Sequence, residues 1–172
     1  MGPQISLAGF ASYLPETIVD NSFFGGEDGL PTNGMFRGVK SRHHIAEDES
    51  AVDMVVKAVE RLEQKRGASA LDGIDIILTN VSLPDLPFTG CGAEVARSLG
   101  IKPMWVYDVH SQGCVSFISM MALARGLMAT STARRALICN VQTAAGRVFS
   151  DEVVRTSPCL LYTSPSPRDS VV

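Results

Sequence analysis

Trp105-Val106-Tyr107-Asp108-Val109-His110-Ser111-Gln112-Gly113-Cys114, followed by VSFISMMALARGLMAT (115–130), is the stretch whose reading decides the fold. Residues 104–109 make an apolar run of strand length, and residues 115–130 make a helix-length run whose one charge is Arg125. A helix without a polar face needs protein on both sides, so this one belongs inside a layered domain. The elements this chain supplies cover it only in part. At about 25 cal/mol per Å², an uncovered flank of Phe, Ile, Met and Leu forgoes on the order of 5 to 10 kcal/mol, comparable to the whole stability of a domain.

Between strand and helix stands Cys114. Gly113 permits a tight strand-to-helix turn that leaves the sulfur exposed. The free amide donors and the positive dipole end of a helix start stabilise a thiolate, the species that attacks a thioester carbonyl. The same amides are placed to hold an oxyanion. The plainer alternative is that Cys114 is a small buried hydrophobe, as unpaired cysteines often are. Cys139 lies mid-strand and Cys91 at a small-residue helix start with no strand feeding it, so both read as structural. His110 invites a reading as a base, but it stands nearer a strand end than a helix face shared with the sulfur. It reads as structural or solvent-facing, and Trp105, inside a strand, as core.

Working outward, Ser50-Ala51-Val52-Asp53 has the Ser-x-x-acid spacing of a helix start, and Val52, Val55, Val56, Val59 and Leu62 recur at helical intervals. Lys57, Glu60, Arg61 and Glu63 take the remaining surface, which predicts an amphipathic helix ending near Gly67. IDIILTN (74–80) is rich in branched residues and predicts a buried strand, followed by the loop SLPDLPF. A helix over residues 90–99, stopped by Gly100, and a strand over 136–141 complete an alternation that predicts an α/β layered sheet with parallel neighbours. At the front, residues 4–11 read as an opening strand leaving into a turn at Tyr13-Leu14-Pro15. Residues 21–38, dense in Gly and turn formers, read as a surface excursion in which Phe23, Phe24, Met35 and Phe36 pack locally.

Composition narrows the function. The 172 residues are 45% hydrophobic and 19% charged, with a net charge of −3 and scattered Lys and Arg, which argues against nucleic acid as a partner. MGPQISLAGF lacks the basic-then-apolar pattern of a signal peptide, and no stretch has the length of a membrane span, so the expectation is a cytoplasmic protein with no membrane partner. Cys91, Cys114, Cys139 and Cys159 show no CxxC spacing, which suggests neither a zinc site nor a redox pair.

Four motifs, GVKSRHHIAEDES, IDIILTNVSLPDLPF, RSLGIKPMWVYDVHSQGCVSF and RRALICNVQTAAGR, stand in the order and spacing of the ketoacyl-ACP synthase III family, from near Ile5 to about Pro158. The resemblance implies a thiolase-like layered αβαβα sandwich built of two pseudo-symmetric halves, of which this chain carries the N-terminal half in residues 1–158. The helix after Cys114 is then a central one, which accounts for its apolar surface. It also implies a chemistry without a cofactor, in which acyl-CoA or acyl-ACP serves as substrate. Cys114 takes an acyl group from a thioester, and a malonyl-type thioester decarboxylates to a carbanion that attacks the acyl enzyme. The family completes this site with a His and an Asn from its second half, and the chain shows no match to them.

By the same resemblance, Phe88 matches a phenylalanine that family members extend across a homodimer interface into the partner's acyl pocket, its alternative being ordinary core packing. Arg155 falls near a family arginine that contacts the coenzyme A nucleotide, its alternative being a surface arginine. Acyl-CoA users of the family carry a Trp and an Arg ahead of the glycine matching Gly38, where this chain has Thr32 and Phe36. That departure leaves room for a carrier-protein donor. Two other functions stay open: an acyltransferase of the same fold making an ester or amide, and a non-catalytic dimer partner, against which the presence of Cys114 argues. Finally, CLLYTSPSPRD (159–169) reads residue by residue like a translated sequencing adapter, so residues 159–172 are expected to be foreign to the protein, and Cys159 with them. Its alternative is a Pro/Ser linker.

Overall fold

The structure is a computed structural model that describes residues 4–24, 40–86 and 88–148. Its regular elements in chain order are β1 (Thr17–Asp20), β2 (Ser41–His44), α1 (Ala51–Arg66), β3 (Ile76–Val81), α2 (Gly92–Ser98), β4 (Trp105–Asp108), α3 (Ser116–Ala129), β5 (Ala136–Val141) and α4 (Ala144–Val148). They fall into two compact units, each described by itself below. Among the described residues, the first holds 4–14 and 48–143, and the second holds 15–24, 40–47 and 144–148.

The first unit is built on a three-stranded parallel sheet in the order β4-β3-β5. Every residue of β3 is buried, as a central strand covered on both faces requires. Its side chains alternate between those faces: Ile76 and Leu78 pack with Met120 and Ala124 of α3, and Ile77 packs with Ala96 of α2. The chain moves from β3 through α2 to β4 on one side, then back through α3 to β5 on the other. Right-handed crossovers in opposite directions put α2 and α3 on opposite faces. The strands predicted over 74–80, 104–109 and 136–141 and the helices over 90–99 and 115–130 are these elements, shifted by no more than two residues at any end.

Helix α1 starts where the capping spacing predicts. The Ser50 hydroxyl accepts from the Asp53 amide at 3.0 Å, and the Asp53 carboxylate accepts from the Ser50 amide at 2.9 Å. The Ala51 amide donates to the Asp85 carboxylate at 3.0 Å, so another early donor finds a partner from the loop after β3.

The opening strand predicted over residues 4–11 is not formed. These residues are irregular, because a strand is held by a partner edge and none of the described strands pairs with them. They lie instead along α1. Gly9 sits so close to Leu62 that a Cβ there would stand 3.2 Å from it, and the Arg61 guanidinium donates to the Ser12 carbonyl at 2.9 Å. Glu49 accepts from the Tyr13 hydroxyl at 2.7 Å and from Lys57 at 2.6 Å. Ile5, Leu7 and Phe10 stay exposed.

The second unit contains a pair of strands that the sequence pattern did not reveal. β1 and β2 are antiparallel, with Thr17 opposite His44 and Asp20 opposite Ser41. TIVD and SRHH are too short and too polar to stand out by alternation. After β1 a 3-10 turn over Asn21–Phe24 buries Phe24, whose ring meets Phe23 edge-to-face at 5.2 Å. The local packing expected of these two phenylalanines is therefore present, while Thr32, Met35 and Phe36 lie outside the described residues.

Candidate active site

The carboxyl ends of β3, β4 and β5 form one edge of the sheet, where ligands of open parallel α/β folds are bound. At this edge the chain leaves β4 at Asp108, whose carboxylate is held by two neighbours. It accepts from the Thr79 hydroxyl of β3 and, at 2.9 Å, from the Gly92 amide at the start of α2. The approach is close enough that a Cβ on Gly90 would fall 2.1 Å from the Asp108 side chain, so glycine is required there.

The next residues reverse the chain into α3. Ser111 has φ 59° and Gly113 has φ 49°, two left-handed positions within three residues. Gly113 adopts this at no steric cost, whereas Ser111 carries strain of order 1 kcal/mol or more, a backbone state that persists only when its surroundings hold it. A 3-10 turn over Gly113–Val115 then runs into α3. Cys114 is exposed on that turn, at the positive end of a helix of 14 residues whose start carries no side-chain cap.

Polar side chains hold this turn at several points. The Asn80 amide donates to the Val109 carbonyl at 2.6 Å, and the Ser116 hydroxyl donates to the Asn140 side chain at 3.0 Å. From α3, the Ser119 hydroxyl donates to the Gln112 side-chain carbonyl at 3.0 Å. None of these residues was singled out from the sequence. The available signal is that two apolar strand runs, IILTN and ALICN, both end on an asparagine.

The cysteines differ sharply. Cys91 and Cys139 are buried, and burial pushes their thiols up to about 11 and about 12, which keeps both protonated and unreactive near neutral pH. Both are structural, as expected. His110 is exposed, and Trp105 packs half-buried against the α3 face of the sheet. Among the described residues no group of His, Cys, Asp or Glu has the arrangement of a metal site.

Phe88 is fully exposed and takes φ 68°, a left-handed conformation that is uncommon for a bulky side chain. Core packing, the alternative weighed for it, does not occur. Leu83 and Leu86 of the same loop are also exposed, and Thr143 pins the loop's beginning by accepting from the Leu83 amide at 3.2 Å and donating to its carbonyl at 2.7 Å. Arg155 and Cys159 lie outside the described residues.

A parallel sheet flanked by helices, with a cysteine on the turn from a strand into an apolar helix, is the arrangement of a thiolase-type fold, and the chain has this fold. In sequence it is similar to beta-ketoacyl-[acyl-carrier-protein] synthase III of Jannaschia sp., with 32% identity over 139 residues that cover 78% of this chain and 42% of the relative. The enzyme of the same name from Roseobacter denitrificans is 31% identical over 160 residues, covering 91% of this chain and 47% of the relative. In structure it superimposes on beta-ketoacyl-[acyl-carrier-protein] synthase III from Thermus thermophilus with a TM-score of 0.70 at 30% identity, over 82% of this chain and 44% of that one. The chain thus spans less than half the length of these relatives. No protein-family model matches it. No helix of the described residues is long and apolar enough to cross a membrane.

Proposed function

We propose that the chain is part of a condensing enzyme of the ketoacyl-ACP synthase III type, in which Cys114 is the acyl-accepting nucleophile. The observation that carries this reading is the contrast among the cysteines: one is exposed at a helix start beyond a parallel strand, while Cys91 and Cys139 are buried with raised thiols. The Cys114 thiolate attacks the carbonyl of an acyl thioester, a new carbon–sulfur bond forms, and the donor thiol leaves. A malonyl-type thioester then loses CO₂, and the resulting carbanion attacks the acyl group, with the Cys114 thiolate as leaving group. Amides of the 3-10 turn are the local donors for the oxyanion.

The donor we propose is a carrier-protein thioester, on the ground that Thr32 and Phe36 replace the residues with which the family stacks adenine. The exposed, strained Phe88 supports a contact with a second copy of the chain in a homodimer. Iodoacetamide at neutral pH tests the nucleophile. Cys114 should be labelled at least about a hundredfold faster than Cys91 or Cys139, since burial and a raised thiol suppress both thiolate and access. Cys114→Ala should abolish the acyl adduct seen by mass spectrometry. Equal labelling of the three thiols refutes the assignment.

A further inference from the structure

We propose that Asn80 and Asn140 are positioning residues that hold the two ends of the Cys114 turn and so set the geometry in which the thiol meets a thioester; this rests on the reading of Cys114 as the nucleophile. The two asparagines are direct partners in the parallel register of β3 and β5. They also share a face. Ile76 and Leu78 of β3, and Ala136 and Ile138 of β5, point toward α3, and the alternation of a strand brings Asn80 and Asn140 to the same side two residues later. The apolar floor under α3 therefore ends in a pair of amides.

Each amide takes one end of the turn. Asn80 donates at 2.6 Å to the carbonyl of Val109, the last residue before the chain reverses, and Asn140 accepts at 3.0 Å from Ser116, the first residue of α3. Between these two points lie the left-handed Ser111 and Gly113 and Cys114 itself, with the Ser119–Gln112 bond as a further tie. The Asn80 side chain is buried and the Ser116 hydroxyl wholly so, while Asn140 is exposed. Burying the Asn80 amide and the Ser116 hydroxyl costs free energy unless they are bonded, and the bonds to Val109 and Asn140 meet that need. The same bonds fix where the turn lies, which is what a reaction sensitive to errors near 1 Å requires.

Attack on a thioester needs the thiol oriented and the oxyanion donors in place, whereas alkylation by iodoacetamide needs only an exposed thiolate. The ratio of the two rates reads positioning, because anything that changes the thiolate fraction cancels from it. The test uses the full 172-residue chain at pH 8, with phenyl thioacetate and iodoacetamide as reagents and the Cys114 peptide quantified by mass spectrometry. The buried Cys91 and Cys139 report in the same tube whether each variant remains folded.

Asn80→Ala and Asn140→Ala are expected to lower the acylation-to-alkylation ratio by about tenfold or more, as loss of local geometry does in acyl transfer. Ser116→Ala should match Asn140→Ala, and the double variant should be no worse than either single one. Aspartate separates the two roles. Asn140→Asp keeps an acceptor for the Ser116 hydroxyl and should rescue the ratio, whereas an ionised Asn80→Asp has no donor for the Val109 carbonyl and should lose it. Unchanged ratios in folded alanine variants, or the same response to aspartate at both positions, overturn the proposal. A wild-type chain that is alkylated at Cys114 but never acylated overturns the nucleophile reading itself, and that failure is seen in the wild type rather than in the variants.

Discussion

Helices α1 and α3 belong to the same compact unit yet begin in opposite ways. At α1, Ser50 and Asp53 close a reciprocal capping box, and Asp85 reaches in to take the Ala51 amide. At α3 there is no side-chain cap, no acidic residue in the first turn, and an exposed cysteine on the turn that leads in. Their bodies differ as well: α1 buries Ala51, Val52, Met54, Val55 and Val59 and shows polar residues outward, whereas α3 buries Ser116, Met120 and Ala124 and leaves Phe117, Ile118 and Leu123 exposed. The difference teaches that the donors of a helix start serve either stability or chemistry. Where side chains satisfy them the helix is secured, and where no side chain does so the positive end of the helix is left to a nucleophile.

The largest effect expected from this contrast lies in the body of α3. Met120→Ala removes a fully buried side chain between Ile76 and Leu78 and should cost about 2 to 5 kcal/mol in chemical denaturation. Ile118→Ala, on the exposed flank, should change stability by less than about 0.5 kcal/mol. Similar losses at the two positions would mean that the flank of Ile118 is covered, and the contrast between the helices would fail. Replacing Ile118 and Leu123 together by lysine should lower both light scattering and dye binding by the chain, because both are large apolar side chains that α3 exposes to solvent.

The helix starts come next. Ser50→Ala removes half of the capping box and should cost about 1 kcal/mol of unfolding free energy while leaving Cys114 alkylation at its wild-type rate. A change in Cys114 reactivity would show that the two starts are coupled. The smallest effect is in acid. The Asp53 carboxyl is held below its ordinary value of 3.8, chiefly by the Ser50 hydroxyl and then by the Ser50 amide. An acid held low in the folded state contributes stability that is complete above its unfolded value and is lost as pH falls through the folded one. The α1 cap should therefore weaken only below about pH 3.8, by a fraction of a kcal/mol given its exposure. Asp53→Asn should flatten that part of the stability profile.

Much of this was legible in the chain because its causes are local. The capping spacing of Ser50 and Asp53, the apolar runs of β3 and β5 and the chargeless helix after Cys114 express periodicity and propensity, which neighbours along the sequence decide. The cysteine could be ranked above Cys91 and Cys139 for a related reason: a glycine followed by a helix start is visible in the letters Gly113-Cys114.

What only the tertiary structure decided depends on partners distant in sequence. Residues 4–11 have the composition of a strand, but a strand exists only where an edge receives it, and here the segment lies along α1. TIVD and SRHH are strands because each meets the other across an intervening stretch that carries no pairing signal of its own. The pairing of Asn80 with Asn140 is a matter of register between β3 and β5, and a slip of one residue by either strand would turn its amide away from α3. The left-handed turn at Ser111 and the outward, strained Phe88 were equally out of reach, since no local preference of serine or phenylalanine selects that conformation. Thus the sequence by itself determined which residue is the nucleophile candidate and which helix it precedes. The geometry in which that thiol is held came from contacts between strands 60 residues apart, as the register of Asn80 with Asn140 shows.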